Sequence, residues 1–270
     1  MATGCVTATL PSSWRGRRPP SRVPVPTCER RDGLSACPRT SRSERTTSRI
    51  SSVSSRPQPF SESPGWRAGT VGPKPALLVV DIQNDFCPGG ALGVPDGDAI
   101  IPRVNRTIAL FERRGLPVLF TRDWHPRVTK HFKEFGGAWP AHCVQGTKGA
   151  RFHGDLEMPK GAVILSKGMD PEQDSYSAFQ AFTDRGRDLE STLHELDVDG
   201  LFVCGLATDY CVRATTLDGL RRGLAIRVLR DAIRGVDLKP GDSDMAIKEM
   251  RVHGARFSES RGLARLLRRG

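Results

Sequence analysis

The chain has 270 residues, enough to bury a sizeable core and to form one or two domains. Its 37% hydrophobic and 26% charged residues are typical of a globular protein, and no apolar run approaches the roughly 20 residues that a membrane helix needs. The seven cysteines are odd in number and irregularly spaced, which disfavours both a disulfide framework and a zinc motif. We therefore expect a reduced compartment and no membrane anchor.

The net charge of +11 lies mostly in residues 1–70, which contain twelve Arg, no Lys and four acidic residues. The remaining residues contain 29 basic and 26 acidic side chains, so we expect no nucleic-acid-binding surface there. Residues 1–70 are rich in Ser, Arg and Pro and lack apolar periodicity, which predicts a disordered extension.

The same composition is also similar to that of an organellar transit peptide. The alternatives are a tail that carries no targeting signal and a translation start placed too far upstream. The expected location is therefore the cytoplasm, or a plastid or mitochondrion if residues 1–70 are a transit peptide.

Residues 71–270 form the predicted folded domain, in which short apolar strands alternate with helices. The predicted elements, in chain order, are a strand at 76–81, a helix at 98–115, strands at 117–123 and 162–167, a helix at 187–200, a strand at 200–205, a helix at 211–223, a strand at 225–231 and a helix at 242–254. Nearly continuous apolar strands in this alternation indicate an α/β fold with three layers, α/β/α, around a mainly parallel central sheet.

Ionisable side chains lie at or shortly after the ends of four of these strands. They are Asp81, Asp123, Lys167 and, after a short loop, Cys211. Parallel sheets bind their ligands outside the carboxyl ends of the strands. The sequence therefore predicts a functional site at that edge of the sheet.

Cys211 follows the fourth strand at the predicted start of a helix. The free N–H groups and the dipole of a helix start favour a thiolate, Asp81 is a candidate base, and Lys167 is a candidate stabilising cation. Backbone N–H groups of the preceding turn are candidates for an oxyanion hole. These parts suit attack on a carbonyl carbon, whereas the alternative for Cys211 is a small buried hydrophobe of the core.

A second polar group follows the second strand. It contains Asp123, His125, His131 and His142, with Glu134 in the same loop. Two or three imidazoles and one carboxylate suit Zn²⁺, Fe²⁺ or Mn²⁺ with positions left for water or ligand. The alternative is an ordinary turn or a surface patch.

Several extended segments carry a family resemblance, in order, over residues 75–257. They are VVDIQNDFCPGGALGVPDGDAIIP, FTRDWHP, WPAHCVQGTKGARFH, KGMDPEQDSYSAF and GLATDYCVRATTLDGL. On these segments the chain resembles the nicotinamidases of the isochorismatase-like cysteine hydrolase family. The resemblance implies hydrolysis of the small-molecule substrate nicotinamide to nicotinate and ammonia through a cysteine thioester, in NAD salvage.

The resemblance also implies roles for individual residues. Asp81 is the base, Lys167 the catalytic lysine and Cys211 the nucleophile, with the N–H groups of Ala207 and Cys211 as the oxyanion hole. A cis peptide is expected between Leu206 and Ala207.

One divalent ion is implied, with Asp123, His125 and His142 as its ligands. His131, which we favour, or Glu134 is the candidate for a fourth ligand, since relatives differ at that position; the alternative is a site of three protein ligands and water.

The implied substrate-binding residues are Phe86 and Trp139, which sandwich the pyridine ring, and Tyr176, which lies near the pocket. The alternative role for Phe86 and Trp139 is ordinary packing in the hydrophobic core.

Two rival functions stay open. Another amidohydrolase of this fold, of the N-carbamoyl or ureidoacrylate type, shares the Asp–Lys–Cys set but lacks the metal ligands. A catalytically inactive binding protein on the same scaffold would be expected to lose Asp81, Lys167 or Cys211. No nucleic-acid or membrane partner is expected, and assembly into a homo-oligomer is left open.

Overall fold

A six-stranded sheet forms the centre of the computed structural model, which describes residues 74–267. The extension predicted over residues 1–70 lies outside the described residues. The sheet order is β3-β2-β1-β4-β5-β6, and every neighbouring pair is parallel. The strands are β1 (Pro75–Val80), β2 (Val118–Asp123), β3 (Val163–Lys167), β4 (Gly200–Leu206), β5 (Ala225–Arg234) and β6 (Arg256–Ser258).

Helices cover both faces of this sheet. They are α1 (Ile101–Glu112), α2 (Leu189–Glu195), α3 (Arg213–Arg221), α4 (Asp242–Val252) and α5 (Leu263–Leu266). All six residues of β1 are buried, and alternate residues enter two separate hydrophobic clusters. Leu78 packs in the cluster that includes residues of α2, α3 and α4, and Leu77 in the one that includes residues of α1 and α5. The three-layer α/β/α prediction is confirmed.

Aromatic packing fastens α1 to the sheet. Phe111 of α1 meets Phe202 of β4 edge to face, with ring centroids 5.6 Å apart, and neither side chain is exposed. Truncating a buried phenylalanine to alanine typically costs about 3–5 kcal/mol. This contact therefore contributes to the packing of α1 on the sheet.

The structure differs from the sequence prediction mainly after residue 231. β5 continues to Arg234 instead of ending at Asp231, with an irregularity in its pairing to β4. Asp231 accepts hydrogen bonds from the backbone N–H and the hydroxyl of Ser260, at 2.8 and 2.6 Å. Neither β6 nor α5 was predicted from the sequence.

Each helix of residues 74–267 is too short or too polar to cross a membrane.

Candidate active site

Three neighbouring strands, β3, β2 and β1, end side by side at one edge of the sheet. Asp123 is the last residue of β2 and pairs in register with Lys167, the last residue of β3. Asp81 directly follows β1 with a left-handed backbone, at φ 49°. All three side chains are buried, and the ammonium of Lys167 contacts both carboxylates.

Lys167 lies between the other polar groups of this edge. Its Nζ lies 3.0 Å from Oδ2 of Asp81 and 3.5 Å from Sγ of Cys211, and it also contacts Oδ1 of Asp123. Burial alone would lower the pKa of this ammonium, but the carboxylates of Asp123 and Asp81 outweigh burial and raise the pKa well above its ordinary value. Lys167 is therefore a fixed positive charge at neutral pH.

Asp81 is a buried carboxylate with an unusually high proton affinity. Burial, helped by the negative charge of Asp123, raises its pKa against the opposing effects of Lys167 and Thr121. The hydroxyl of Thr121 donates to Oδ1 of Asp81 at 2.7 Å. Lys167 and Thr121 thus favour the carboxylate form of Asp81 while burial favours proton uptake, a balance that suits a general base.

Cys211 lies in a π-helical turn, Thr208–Val212, that links β4 to α3. The peptide bond between Leu206 and Ala207, just before this turn, is cis. Gly205 permits the close approach of β4 to β1 here, because a Cβ at this glycine would lie 2.0 Å from the carbonyl oxygen of Val80. The turn therefore places Cys211 beside the ends of β1 and β3.

The structure corrects the expectation that a helix start makes Cys211 a thiolate. The side chain is only 6% exposed, and burial raises the pKa of the thiol well above its ordinary value, with Asp81 and Asp123 adding to the effect and Lys167 opposing it. Cys211 also precedes the first residue of α3 by two positions. The resting group is a neutral thiol, so nucleophilic attack requires a base, and Asp81 is the adjacent one.

Three buried imidazoles form a cluster next to Asp123. One nitrogen from each of His125, His131 and His142 lies within 4.8 Å of the others. Oδ2 of Asp123 lies 3.6 Å from Nε2 of His125 and 3.8 Å from Nε2 of His142. Three imidazole nitrogens and, close to two of them, a carboxylate oxygen therefore offer a donor set that suits one divalent ion.

The hydrogen bonds of these imidazoles agree with metal ligation. Each Nδ1 is engaged: that of His125 with the carbonyl of Gly168 at 2.9 Å, that of His142 with the carbonyl of Pro140 at 2.8 Å, and that of His131 with the carboxylate of Asp174. The Nε2 atom of His125 is buried and has no hydrogen-bond partner. A ligated histidine uses its second nitrogen in this way, so the residues present fit a divalent ion.

The two candidates for a fourth ligand occupy different environments. His131 is buried within the cluster, whereas Glu134 is exposed on the turn Lys133–Phe135. The structure therefore brings His131, and not Glu134, together with His125 and His142.

Aromatic side chains stand beside the imidazoles. The indole N–H of Trp139 donates to the hydroxyl of Tyr176 at 2.9 Å, and the Trp139 ring meets the ring of Tyr210 edge to face at 5.1 Å. Tyr176 lies 5.9 Å from His131 between ring centroids, and Phe86 lies 5.7 Å from His142. These residues supply flat apolar surface next to the candidate metal ligands.

Sequence reasoning missed three residues of this site. Thr121 is two positions before Asp123 and so lies on the same face of β2, a signal that strand periodicity contains. Tyr210 directly precedes Cys211. Asp174 opens the DSYSAF segment, but nothing in the sequence links it to His131, 43 positions earlier.

Comparisons with known proteins identify the family of this chain. The Isochorismatase domain model matches residues 75–261. The nicotinamidase of Escherichia coli (strain K12) is 42% identical over 202 residues, which cover 68% of this chain and 93% of that protein.

Two solved structures are similar over most of their length. The crystal structure of Pyrococcus horikoshii pyrazinamidase in complex with zinc has a TM-score of 0.64 and 46% identity, and the match covers 69% of this chain and 99% of that one. PnC1 from L. infantum, in complex with nicotinate, has a TM-score of 0.63 and 33% identity, covering 70% and 93%.

Proposed function

Because this chain belongs to the isochorismatase domain family, we propose that it is a nicotinamidase, a metal-dependent amidohydrolase that converts nicotinamide and water to nicotinate and ammonia. One observation carries the proposal: buried Lys167 contacts Asp81, Asp123 and Cys211 at once. The groups that hydrolyse an amide therefore share one site with the groups that would hold a metal. This activity places the protein in NAD salvage.

Asp81 begins the reaction as general base. Its carboxylate accepts the proton of the Cys211 thiol, and the sulfur attacks the carboxamide carbon of nicotinamide. The raised pKa of Asp81 favours this proton transfer, although burial also raises the pKa of Cys211. Lys167 stabilises the negative charge that develops on the sulfur, because its ammonium lies 3.5 Å from Sγ.

The tetrahedral intermediate collapses with loss of ammonia. Its oxyanion is stabilised by the backbone N–H groups of Ala207 and Cys211, the proposed oxyanion hole. Asp81 returns its proton to the departing nitrogen, and a thioester between Cys211 and the nicotinoyl group is left. Asp81 then accepts a proton from water as its oxygen attacks the thioester carbon. It passes that proton to the departing sulfur, which regenerates the Cys211 thiol and the Asp81 carboxylate. Nicotinic acid leaves and loses its proton to solvent as nicotinate.

Asp123, His125 and His142 would hold the divalent ion, with His131 as the fourth protein ligand. When bound, the ion supplies a Lewis-acid contact for the pyridine nitrogen and so orients the substrate. Phe86 would contact one side of the pyridine ring.

Trp139 would contact the other side of that ring, and Tyr176 fixes the Trp139 indole through its hydroxyl. Zinc is the first candidate ion, because the similar Pyrococcus horikoshii structure contains zinc. Iron and manganese suit the same donor set.

An ammonia-release assay on the full chain tests the proposed function. We expect nicotinamide to release equimolar ammonia and nicotinate, and an N-carbamoyl amide and ureidoacrylate to release little. Treatment with a chelator is expected to abolish the release, and added Zn²⁺, Mn²⁺ or Fe²⁺ to restore it. Preference for the N-carbamoyl amide or ureidoacrylate would favour the related amidohydrolases, and no turnover of any amide would favour an inactive binding protein.

The proposed compartment is the cytoplasm, with a plastid or mitochondrion as the alternative. The alternative is supported by the twelve Arg and four acidic residues of residues 1–70. Microscopy of residues 1–70 fused to a fluorescent protein separates the two, since only a transit peptide would carry the fusion into an organelle.

A further inference from the structure

Of the three clustered imidazoles, His131 alone is oriented by a side chain. His125 and His142 each use Nδ1 on a backbone carbonyl, whereas Nδ1 of His131 is bonded to Oδ1 of Asp174. The charged partner therefore acts on only one of the three histidines. It also comes from a separate loop, so its effect on His131 can be altered without changing a ligand.

Asp174 is held in place by its loop. The backbone N–H of Lys130 donates to the carbonyl of Pro171 at 2.8 Å, and the hydroxyl of Thr129 donates to the same carbonyl at 3.2 Å. The side-chain amide of Gln180 donates to the carbonyl of Asp174 at 3.3 Å. The two bonds to Pro171 join the loop of Asp174 to the loop of His131, and the bond from Gln180 holds Asp174 within its own loop; none of them uses the Asp174 carboxylate.

The side chain of His131 is buried, whereas that of Asp174 is largely exposed to solvent. The side chain of His131 is 5% exposed and that of Asp174 is 59% exposed. A solvated carboxylate keeps its charge at little desolvation cost, while the buried imidazole gains a charged acceptor. As the acceptor of the Nδ1 proton, a carboxylate leaves the lone pair on Nε2 free for a metal ion, and it increases the basicity of that nitrogen.

We propose that Asp174 is a positioning residue for the metal: through His131 Nδ1 it fixes the tautomer and the orientation of the fourth ligand and so raises affinity for a divalent ion. This inference rests on the proposed function, because it assumes the ion held by Asp123 and the three histidines. It adds a residue outside the ligand set, on the loop that also carries Tyr176, which holds the indole of Trp139.

Zn²⁺ affinity of the full-length protein tests this role without reference to catalysis. The metal-free protein would be titrated with Zn²⁺ in competition with a chromogenic chelator. Asp174→Asn keeps the size of the side chain but loses its charge, and loss of such a partner typically weakens metal binding about 10- to 100-fold. Glu172→Gln is the matched control, because Glu172 lies on the same loop and its carboxylate pairs with Lys130 instead of a histidine.

A double-mutant cycle separates positioning from a general loosening of the loop. If Asp174 acts through His131, Asp174→Asn weakens Zn²⁺ binding in the wild-type background and has no further effect in the His131→Ala background. Asp174→Glu is expected to recover part of the affinity. Absorption by bound Co²⁺ offers a second readout, since its bands depend on the arrangement of the ligands around the ion. The bands should change in Asp174→Asn, which alters the orientation of His131, but not in Glu172→Gln.

Three results would overturn the inference: unchanged Zn²⁺ affinity in Asp174→Asn, an equal loss in Glu172→Gln, or additive losses in the cycle. Failure of the proposed function has a different signature. A wild-type protein that binds Zn²⁺ as predicted but releases no ammonia from nicotinamide contradicts the enzyme assignment and leaves the role of Asp174 standing. A wild-type protein that binds no Zn²⁺ contradicts both.

Discussion

Thr121 of β2 donates its hydroxyl hydrogen to Oδ1 of Asp81, just past the end of β1, at a distance of 2.7 Å. The bond stabilises the carboxylate form of Asp81, and it is one of two interactions that lower the pKa of this group against burial; the other is with Lys167. The protonation state of the proposed base is therefore set across two neighbouring strands.

Thr121→Val should move the acidic limb of kcat/KM to higher pH. Asp81 acts as a base only when ionised, so activity falls as the pH drops through its pKa, and loss of a bond to the carboxylate raises that pKa. A hydrogen bond to a charged group contributes about 1.5–3 kcal/mol, which corresponds to roughly one to two pH units. The measurement is the pH profile of nicotinamide hydrolysis.

Thr107→Val is the control for this profile. Thr107 is also buried, but its hydroxyl donates to the carbonyl of Arg103 within α1. The acidic limb of the pH profile of Thr107→Val should match that of the wild type. An unmoved limb in Thr121→Val, or one displaced to lower pH, would rule out the proposed role of Thr121.

Zn²⁺ should raise the thermal unfolding temperature of the metal-free protein. An ion that binds only the folded state adds about 2.7 kcal/mol at a free concentration 100 times its Kd. The buried, unpaired Nε2 of His125 would gain a partner on binding. Differential scanning calorimetry with and without Zn²⁺ should show the stabilisation in the wild type and a much smaller one in His142→Ala, and equal stabilisation of both would place the ion elsewhere.

Tyr176→Phe should raise KM for nicotinamide more than it lowers kcat. The substitution removes the acceptor of the Trp139 indole N–H but leaves the aromatic ring. A neutral hydrogen bond contributes about 0.5–1.5 kcal/mol, or roughly 2- to 13-fold in KM. Steady-state kinetics would contradict this expectation if kcat fell by that factor while KM stayed constant.

Removal of residues 1–70 should leave catalysis intact. The family model begins at residue 75 and β1 begins at Pro75, so the proposed hydrolase domain retains its sheet and its site. The truncated chain is expected to match the full chain in kcat/KM and in unfolding temperature. A loss of more than about tenfold in kcat/KM would show that the extension contributes to the site.

The sheet and its polar edge were predictable from the sequence because each buried strand is a nearly continuous run of apolar residues. β1 and β4 are wholly buried, and that composition locates them directly. β6 escaped prediction because its three residues, Arg256–Ser258, include two polar ones and are all partly exposed. Short edge strands depend on the neighbour that pairs with them, in this case β5.

The protonation states and pairings of the site residues were less predictable than the identities of those residues. The position of Cys211 at a helix start favoured a thiolate, yet burial prevails and raises the pKa of the thiol. Burial depends on the whole fold, so local sequence contains little information on it. The pairing of His131 with Asp174 likewise arises only when two loops 43 residues apart meet.

The central claim is that Cys211 carries the nicotinoyl group as a thioester. Removal of a catalytic nucleophile typically costs at least about 10³-fold in kcat, so Cys211→Ala should fail to release ammonia. Cys87→Ala is the control, because Cys87 is also a buried cysteine but is not among the proposed catalytic groups, and its removal should leave the nucleophile in place.

The most direct measurement is mass spectrometry of protein quenched in acid during turnover of nicotinamide. The account predicts one nicotinoyl group on the peptide that contains Cys211, in the wild type and in Cys87→Ala, and none in Cys211→Ala. Hydrolysis of nicotinamide by Cys211→Ala at the wild-type rate would contradict it.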